Sequence, residues 1–334
     1  MNDSRRLLVL TRRRANASFR QRIEAYLGPL AARGIASEVV ELAACPMARR
    51  RQLLRAREFD AVWLHRKTLT AWDAWALRGA ARPMIYDVDD AVMYQARTAE
   101  RGPHPGRLRR FRRTVAMARL TLAGNPILAD HVARAGGRAE VVPTGLDAGR
   151  YPPKEQHENA GPLKLVWIGS RSTLKRLDPF RDMFAELARS VPGVVLRVIA
   201  DAEFACEGLT VENVPWSREA EARLLAECDV GVAPLPDTPF TRGKCAFKVL
   251  QCMAAGLPVI ASPVGANADY VRDGETGLHA LTINKWVAAV GRLAADAGLR
   301  ESMGRAGRRR VVDEFDVAVL APRVGNLIDG AIAG

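Results

Sequence analysis

Short apolar runs alternate with longer helical stretches along the first half of the chain. The runs include RRLLVLT, DAVWLHR and RPMIYDV, and helical spacing of apolar positions separates them. Strands that alternate with helices predict parallel βαβ units with right-handed crossovers. The first half is therefore expected to form an open parallel sheet covered by helices on both faces.

The pattern stops around residues 143–163, a segment rich in Pro, Gly and charge, and then restarts. Runs such as PLKLVWIGS, CDVGVAPL and LPVIASPV follow, each with a helical stretch after it. The predicted fold is α/β, with two doubly wound, Rossmann-like domains that face a central cleft. We assign these domains to residues 1–155 and 156–315, and we expect a last helix at 316–334 to pack on either of them. In such sheets ligands bind beyond the carboxyl ends of the strands.

Charge is distributed unevenly between the two halves. Residues 1–150 contain 28 basic and 14 acidic side chains, whereas the rest of the chain contains 22 and 23. The excess indicates an anionic partner of the first half, such as lipid headgroups, nucleic acid or a phosphorylated acceptor, unless it reflects only a genomic preference for arginine. No apolar run approaches the roughly 18–20 residues of a membrane span, and the five cysteines form no CxxC pair. A cytoplasmic protein with reduced cysteines and no zinc site is expected, with contact to the inner face of the membrane left open.

The segment 228–262 carries the most informative polar residues. Within it, Lys244, Lys248 and Gln251 fall at spacings of four and three, so they are predicted to share one face of a helix. Burying ammonium groups without partners is unfavourable, so this stripe is expected to face a cleft or an anion. Arg242 and the free N–H groups of the helix start add positive potential, which suits a diphosphate. A solvated helix face is the alternative.

Two common phosphate-binding motifs are not present in the sequence. The string GK at Gly243 is not a P-loop, because position 238 is Thr where that motif needs Gly. No GxGxxG follows a strand, which disfavours a dinucleotide-dependent dehydrogenase.

The stretch KVLQCMAAGLPVIAS, followed by PVGANADYVRDGETG, resembles the donor site of glycosyltransferase family 4 and its GT-B relatives (glycosyl transferases group 1). The resemblance covers about residues 60–315, is strongest after 160, and implies a nucleotide-diphosphate sugar as donor with no metal or other cofactor. In that family two glutamates eight positions apart contact the sugar and the ribose. Here Gly243 and Gln251 occupy those positions, while Lys248 resembles a branch with a lysine three residues before the ribose-binding position. These departures leave the identity of the donor open.

The resemblance implies further donor contacts on both sides of that helix. Arg171 and Lys175 are candidates to clamp the diphosphate, although Arg171 stands one place later than the usual arginine. Gly265 and Asn267 lie in a turn that either meets phosphate or is only a turn, and Trp216 is either near the base or in the core. The predicted donor-binding residues are Gly169, Ser170, Arg171, Thr173, Lys175, Arg242, Gly243, Lys244, Lys248, Gln251, Gly265, Asn267 and Asp269.

Polar residues also end two strands of the first half. His65 ends DAVWLH, and Asp89 and Asp90 end RPMIYDVDD. A cluster of these aspartates with Asp87 is unfavourable unless it is solvated, cation-bound or protonated, so we expect a site rather than a core. DVDD superficially resembles the metal-binding DxD of the other glycosyltransferase fold, but the doubly wound pattern argues against a metal. Lys248, Asp89, Asp90 and His65 are the predicted catalytic residues.

Residues 97–119 contain eight arginines. This stretch either lies on an anionic membrane, where it would deliver a lipid-linked acceptor, or forms a solvated arginine-rich helix. No nucleic-acid partner is expected.

The resemblance implies transfer of a sugar to a glycan, lipid-linked or small-molecule acceptor with retention of anomeric configuration. The departing phosphate would be stabilised by Lys248, Arg171 and Lys175. A nucleotide-sugar epimerase of the same fold and a polyanion-binding protein are the alternatives.

Overall fold

The computed structural model describes residues 5–80, 82–95, 102–158 and 161–333. The chain divides into two compact units, each made of more than one segment. The first unit consists of Met1–Gly145, Thr238–Cys245 and Val317–Gly334, and the second of Leu146–Asp237 and Ala246–Asp316. The sequence-based boundary at 155/156 lies ten residues after the end of the first of these segments.

The first unit contains a six-stranded sheet with the order β2-β1-β3-β4-β5-β6, and every pair of neighbours is parallel. Its four inner strands form because they contain apolar runs that the sheet buries on both faces, whereas the two edge strands are only partly buried; Leu7, Leu8, Val9 and Leu10 of β1 are all fully buried. The strands are β1 (Arg5–Thr11), β2 (Ile35–Glu41), β3 (Ala61–His65), β4 (Met84–Val88), β5 (Leu120–Ala123) and β6 (Ala139–Val141).

Helices cover both faces of this first sheet. One core contains Phe19, Tyr26 and Leu30 together with Leu320 and Ile328 of the last helix, and the other contains Leu53, Leu77, Phe111 and Leu128. The last helix therefore packs on the first unit, a choice that the sequence left open. The helices are α1 (Ala17–Phe19), α2 (Ala25–Ala32), α3 (Pro46–Leu54), α4 (Ala71–Arg78), α5 (Pro105–Met117), α6 (Pro126–Arg134) and, after the second unit, α15 (Val317–Ala333).

The second unit repeats the architecture with a six-stranded parallel sheet of order β12-β11-β10-β7-β8-β9. Two apolar cores lie on its two faces. The strands are β7 (Lys164–Ile168), β8 (Val195–Ala200), β9 (Thr210–Pro215), β10 (Val230–Ala233), β11 (Val259–Ala261) and β12 (Gly277–His279). The helices are α7 (Arg171–Leu174), α8 (Arg181–Ser190), α9 (Glu221–Ala226), α11 (Phe247–Ala254), α12 (Ala266–Tyr270), α13 (Ile283–Ala295) and α14 (Ala297–Arg310), and α10 (Pro239–Arg242) belongs to the first unit.

These two sheets confirm the predicted pair of doubly wound α/β domains. None of the helices in the described part of the chain has both the length and the apolarity that crossing a bilayer requires. Of the arginine-rich stretch, Arg107 to Arg113 lie on α5, whereas Arg97 and Arg101 fall outside the described residues.

The prediction that one helix carries Lys244, Lys248 and Gln251 on one face is wrong for Lys244. α10 ends at Arg242 and α11 begins only at Phe247, so Lys244 lies in the connection between them. The break has a local cause, since Ala246 adopts φ 46°, a left-handed conformation that a continuous α-helix does not contain. Lys248 and Gln251 do share α11.

Candidate functional site

In the second unit, the carboxyl end of β7 runs into a tight turn before α7. The hydroxyl of Thr173 accepts a hydrogen bond from the backbone N–H of Ser170 at 3.0 Å and lies 3.1 Å from the Ser170 carbonyl oxygen, to which it donates. These hydrogen bonds fix the first turn of α7 directly after the end of β7. The side chain of Arg171 donates to the carbonyl of Asp201 at 3.1 Å, and Lys175 is exposed.

Lys248 brings a cationic group from α11 to this same turn. Its Nζ lies 3.6 Å from the centroid of the Trp167 ring and 3.2 Å from the Thr173 hydroxyl. An ammonium over the face of an indole is attracted by the ring quadrupole, so Trp167 supports the cation without neutralising it. The structure therefore brings Lys248 together with Ser170 and Thr173. Lys248 and Thr173 are 75 positions apart in the sequence.

The absence of a side chain at Gly169 leaves space for the ammonium group of Lys248. A Cβ at position 169 would lie 2.4 Å from Lys248 Nζ, 2.3 Å from Trp167 and 2.7 Å from the Thr173 hydroxyl. Trp167 and Gly169 are two residues apart and so lie on one face of the extended chain. Trp167 was not among the residues predicted from the sequence, although it is the first residue of the string WIGS that contains Gly169 and Ser170.

Gln251, the predicted ribose contact, is buried in a hydrogen-bond network. Its amide lies 3.3 Å from the hydroxyl of Tyr151 and 3.3 Å from the carboxylate of Glu221. Glu221 also accepts hydrogen bonds from Tyr151 at 2.8 Å and from the indole of Trp216 at 2.7 Å. Burial, together with Glu221, raises the pKa of Tyr151 well above its usual range. Sequence reasoning missed Glu221, which places a carboxylate beside the position where the resembling family carries one.

Gly265, Asn267 and Asp269 lie at the start of α12, after β11. Gly265 adopts φ 54° with ψ −136°, a conformation that favours glycine, and Asn267 donates to the carbonyl of Ala233 at the end of β10 at 3.2 Å. The side chain of Asn267 is thus used inside the unit, whereas Asp269 is exposed.

In the first unit, Asp87 is a structural residue rather than a member of a solvated cluster. Both of its carboxylate oxygens accept hydrogen bonds from Arg22, at 3.0 and 2.9 Å, and both side chains are only 1% exposed. Burial raises the pKa of Asp87 to about 6, and Arg22 opposes that rise. The expectation of one three-aspartate site is corrected to a pair, Asp89 and Asp90, beside a buried ion pair.

His65 lies at the end of β3 with both ring nitrogens engaged. Nδ1 is 3.0 Å from the hydroxyl of Thr11, and Nε2 is 2.8 Å from the hydroxyl of Ser18. Burial lowers the pKa of His65 to about 4, so the ring is neutral at pH 7. A neutral imidazole held in this way orients Ser18 at the edge of the sheet.

Asp89 and Asp90 are held by two cations of the same unit. Arg66 lies 3.1 Å from Asp89 and 3.0 Å from Asp90, and Lys244 lies 3.1 Å from both oxygens of Asp90. Burial acts to raise the pKa of Asp89, but Arg66 together with His65, Ser18 and Arg22 outweighs burial, and the pKa is lowered. Arg66 itself adopts φ 55°, a conformation that non-glycine residues rarely adopt and that clusters at functional sites.

The segment between α10 and α11, which contains Gly243 and Lys244, also packs closely against Ala91, just after the end of β4. A Cβ at Gly243 would lie 2.7 Å from that of Ala91, so glycine is required there. Arg242 is exposed. Arg242, Gly243 and Lys244 thus belong to the first unit, whereas the other predicted donor residues belong to the second.

In the comparison with known proteins, part of the chain matches a family model. Residues 162–296 match the family model Glycosyl transferases group 1. All the predicted donor residues fall within the matched range, and His65, Asp89 and Asp90 lie outside it.

Curated relatives carry the same kind of name. The glycogen synthase of Mycobacterium tuberculosis is 24% identical over 196 residues, which are 54% of this chain and 46% of that protein. A GDP-mannose-dependent alpha-(1-6)-phosphatidylinositol monomannoside mannosyltransferase of Mycolicibacterium smegmatis is 28% identical over 219 residues, 57% of this chain and 56% of that protein. The chain therefore spans about half the length of these curated relatives.

Solved structures are similar over nearly the whole chain. Anabaena Alr3699/HepE in complex with UDP and glucose has a TM-score of 0.74 at 16% identity, covering 98% of this chain and 100% of that one. Sucrose-phosphate synthase from Thermosynechococcus elongatus has a TM-score of 0.74 at 17% identity, covering 98% and 99%. These likenesses show that the fold is GT-B.

Proposed function

We propose that the chain is a glycosyltransferase that moves a sugar from a nucleotide-diphosphate donor to an acceptor hydroxyl. The family match over residues 162–296 and the names of the curated relatives support this activity. The similar Anabaena protein is described in complex with UDP and with UDP-glucose, which supports a uridine diphosphate donor as the first to test.

One observation carries the proposal, namely the ammonium of Lys248 held over Trp167 at the carboxyl end of β7. Ligands of doubly wound domains bind at this edge of the sheet. A diphosphate leaving group gains negative charge in the transition state, and a fixed cation at about 4 Å stabilises a unit charge by about 4 kcal/mol at an effective dielectric constant of about 20. Because Trp167 and Thr173 hold the ammonium in place beforehand, little reorganisation is needed during the reaction.

The remaining donor residues are proposed to complete the binding of the nucleotide. Arg171, Lys175 and the hydroxyls at the start of α7 would contact the phosphates together with Lys248. The Gln251 and Glu221 pair would offer an amide and a carboxylate to the ribose hydroxyls, which are donors as well as acceptors. Gly265, Asn267, Asp269 and the Arg242 to Lys244 connection are proposed to contribute backbone N–H groups and charge.

We propose that the reaction retains the anomeric configuration, as the resemblance to glycosyltransferase family 4 implies, and that it needs no metal or other cofactor. The departing phosphate would then help to take the acceptor proton, so that no protein nucleophile is required. Asp89 and Asp90 would orient the acceptor hydroxyl, and His65 would act with them through Ser18. The acceptor class is a glycan, a lipid-linked molecule or a small molecule.

The first experiment is a thermal-shift screen against UDP-, GDP- and ADP-sugars. A nucleotide that binds the folded chain stabilises it by about 2.7 kcal/mol at a concentration 100 times its Kd, so the donor base is identified by the largest rise in Tm. Incubation of the best donor with candidate acceptors, and without any acceptor, then separates transfer from epimerisation. Donor consumed to a C2 epimer in the absence of an acceptor would establish an epimerase instead.

The second experiment replaces Lys248 by Ala, with Lys285→Ala as the matched control. Lys285 is an exposed lysine of the same unit, on α13. We expect Lys248→Ala to lower the transfer rate by about 10²–10³-fold with an unchanged fold, the size seen when one preorganised oxyanion donor is removed. Near-normal transfer by Lys248→Ala would reject the assignment.

A further inference from the structure

The first unit exposes large apolar side chains on two neighbouring helices. Met47 of α3 is 73% exposed, and Trp72 and Trp75 of α4 are 55% and 58% exposed. The two indole rings lie 5.6 Å apart, so they form one continuous patch. Tryptophan has a large apolar surface that is normally buried, and a contiguous exposed patch marks an interaction site.

Arginines are numerous on the two helices that carry this patch and on the neighbouring helix α5. α3, α4 and α5 cover the same face of the first sheet, with α4 in contact with both of the others. Together these three helices carry nine arginines and a single acidic residue, Asp73, which is buried and bound to Arg49 at 2.7 Å. The arginines are Arg49, Arg50, Arg51, Arg78, Arg107, Arg109, Arg110, Arg112 and Arg113. We call this surface, formed by α3, α4 and α5, the arginine-tryptophan face.

The charge of the arginine-tryptophan face decides what kind of partner it accepts. All three helices are described in full, and none of them exposes a carboxylate. A second copy of the chain packed symmetrically on this face would place arginines against arginines, which is unfavourable. The partner must instead be anionic and must also accept apolar side chains.

Single-stranded nucleic acid and an anionic membrane surface both meet the first condition. The geometry of the tryptophans decides between these two partners. Single-stranded nucleic acid stacks its bases on open aromatic faces. Here Trp72 and Trp75 pack against each other, and the guanidinium of Arg50 lies 5.1 Å above the Trp75 ring, so part of that platform is already covered. Met47 adds a flexible aliphatic group that does not stack with bases. Indole and thioether groups beside arginines suit the boundary between acyl chains and anionic headgroups.

We propose that the arginine-tryptophan face binds the surface of a membrane containing anionic lipids. Met47, Trp72 and Trp75 insert at the level of the headgroups, while the arginines of α3 and α5 contact lipid phosphates. The chain would then be a peripheral membrane protein. The inference does not depend on the proposed glycosyltransferase activity, because it concerns binding to lipid alone.

The test is co-sedimentation of the full chain with vesicles in which the fraction of anionic lipid is varied. Vesicles of phosphatidylcholine alone are compared with vesicles that contain phosphatidylglycerol. We expect binding only to the anionic vesicles, and we expect it to weaken as salt rises because screening shortens the range of the attraction.

Two variants distinguish the apolar from the electrostatic contribution. The double variant Trp72→Ser/Trp75→Ser keeps every arginine, and we expect it to bind anionic vesicles roughly tenfold or more weakly. Arg109→Gln/Arg112→Gln removes two exposed cations of α5 and is expected to lower the affinity and flatten the salt dependence. The matched controls are Leu281→Ser, an apolar side chain 68% exposed in the second unit, and Arg292→Gln/Arg309→Gln, two exposed arginines of that unit. Thermal melting verifies the fold of each variant.

Several results would overturn the inference. Wild-type chain that stays in the supernatant with anionic vesicles contradicts it, as does binding that the tryptophan variant leaves unchanged. Binding to single-stranded RNA but not to vesicles would assign the face to nucleic acid, and concentration-dependent dimerisation lost in Trp72→Ser/Trp75→Ser would assign it to a second copy. Nucleotide-sugar binding, measured in parallel, shows whether the proposed function holds whatever the outcome.

Discussion

Gly169→Ala is the substitution that tests the proposed phosphate site without removing any of its functional groups. A methyl group at this position would lie 2.4 Å from Lys248 Nζ, 2.3 Å from Trp167 and 2.7 Å from Thr173. The ammonium must therefore retreat by about 1 Å to reach an ordinary contact distance, and it loses its hydrogen bond to Thr173. The backbone of Gly169 is not in the left-handed region, so the effect is due to crowding alone.

The structure sets the expected size of two separate effects. Forcing a methyl group into this packed corner lowers the stability by about 1–3 kcal/mol, and each 1 kcal/mol lowers Tm by about 2–4 °C in domains of this size. Displacing the preorganised cation lowers the transfer rate by about 10²–10³-fold and weakens binding of the nucleoside diphosphate.

The assay combines thermal melting, titration with UDP and steady-state transfer. Gly291→Ala is the matched control, because a Cβ at position 291, inside α13, meets nothing within 4 Å. We expect this control to keep full activity and to gain about 0.5–1 kcal/mol of stability from replacing a helical glycine. A Gly169→Ala chain that binds UDP and turns over like the wild type would refute the role given to Lys248, provided that the titration itself detects binding.

Three further predictions concern the first unit and the start of α11. The folded-state pKa of His65 is about 4 and its unfolded value about 6.5, so lowering the pH from about 6.5 to about 4 should remove up to about 3 kcal/mol of stability from the wild type relative to His65→Gln, measured by denaturation of both proteins. Arg22→Met leaves the Asp87 carboxylate buried without its partner and should cost about 3–5 kcal/mol in the free energy of unfolding, measured by urea denaturation. Ala246→Gly relieves a left-handed alanine and should raise stability by up to about 1 kcal/mol, measured by thermal melting.

Each of these predictions has an outcome that contradicts it. Equal pH slopes for wild type and His65→Gln would mean that the ring is not held neutral; the raised pKa of Asp87 acts in both proteins and cancels in the comparison. For Arg22→Met, a loss below about 1 kcal/mol would show that the pair is not desolvated, and Asp87→Asn/Arg22→Met should recover part of the loss. Destabilisation by Ala246→Gly would show that this backbone conformation is not strained.

The two-domain architecture could be predicted from the sequence, and so could Lys248 as a candidate phosphate-binding residue. Runs such as LLVL at residues 7–10 and LVWI at residues 165–168 are apolar at every position, and such runs form strands only where both faces of the sheet are covered. The break in the pattern near residue 150 predicted two domains. Lys248 was accessible because an ammonium within an otherwise apolar helix is unfavourable unless an anion or an aromatic face lies opposite it.

Only the tertiary structure decided which side chains meet. Arg22 binds Asp87 across 65 positions of sequence, Gln251 meets Glu221 across 30, and Lys244 reaches Asp90 across 154. The left-handed Ala246 separates Lys244 from α11, and no periodicity of apolar positions reports such a single backbone angle. Burial of one face of a helix or strand imposes a local periodicity of apolar residues, so the sequence pattern reports which positions are buried. The partner of a buried charge depends instead on how distant elements pack.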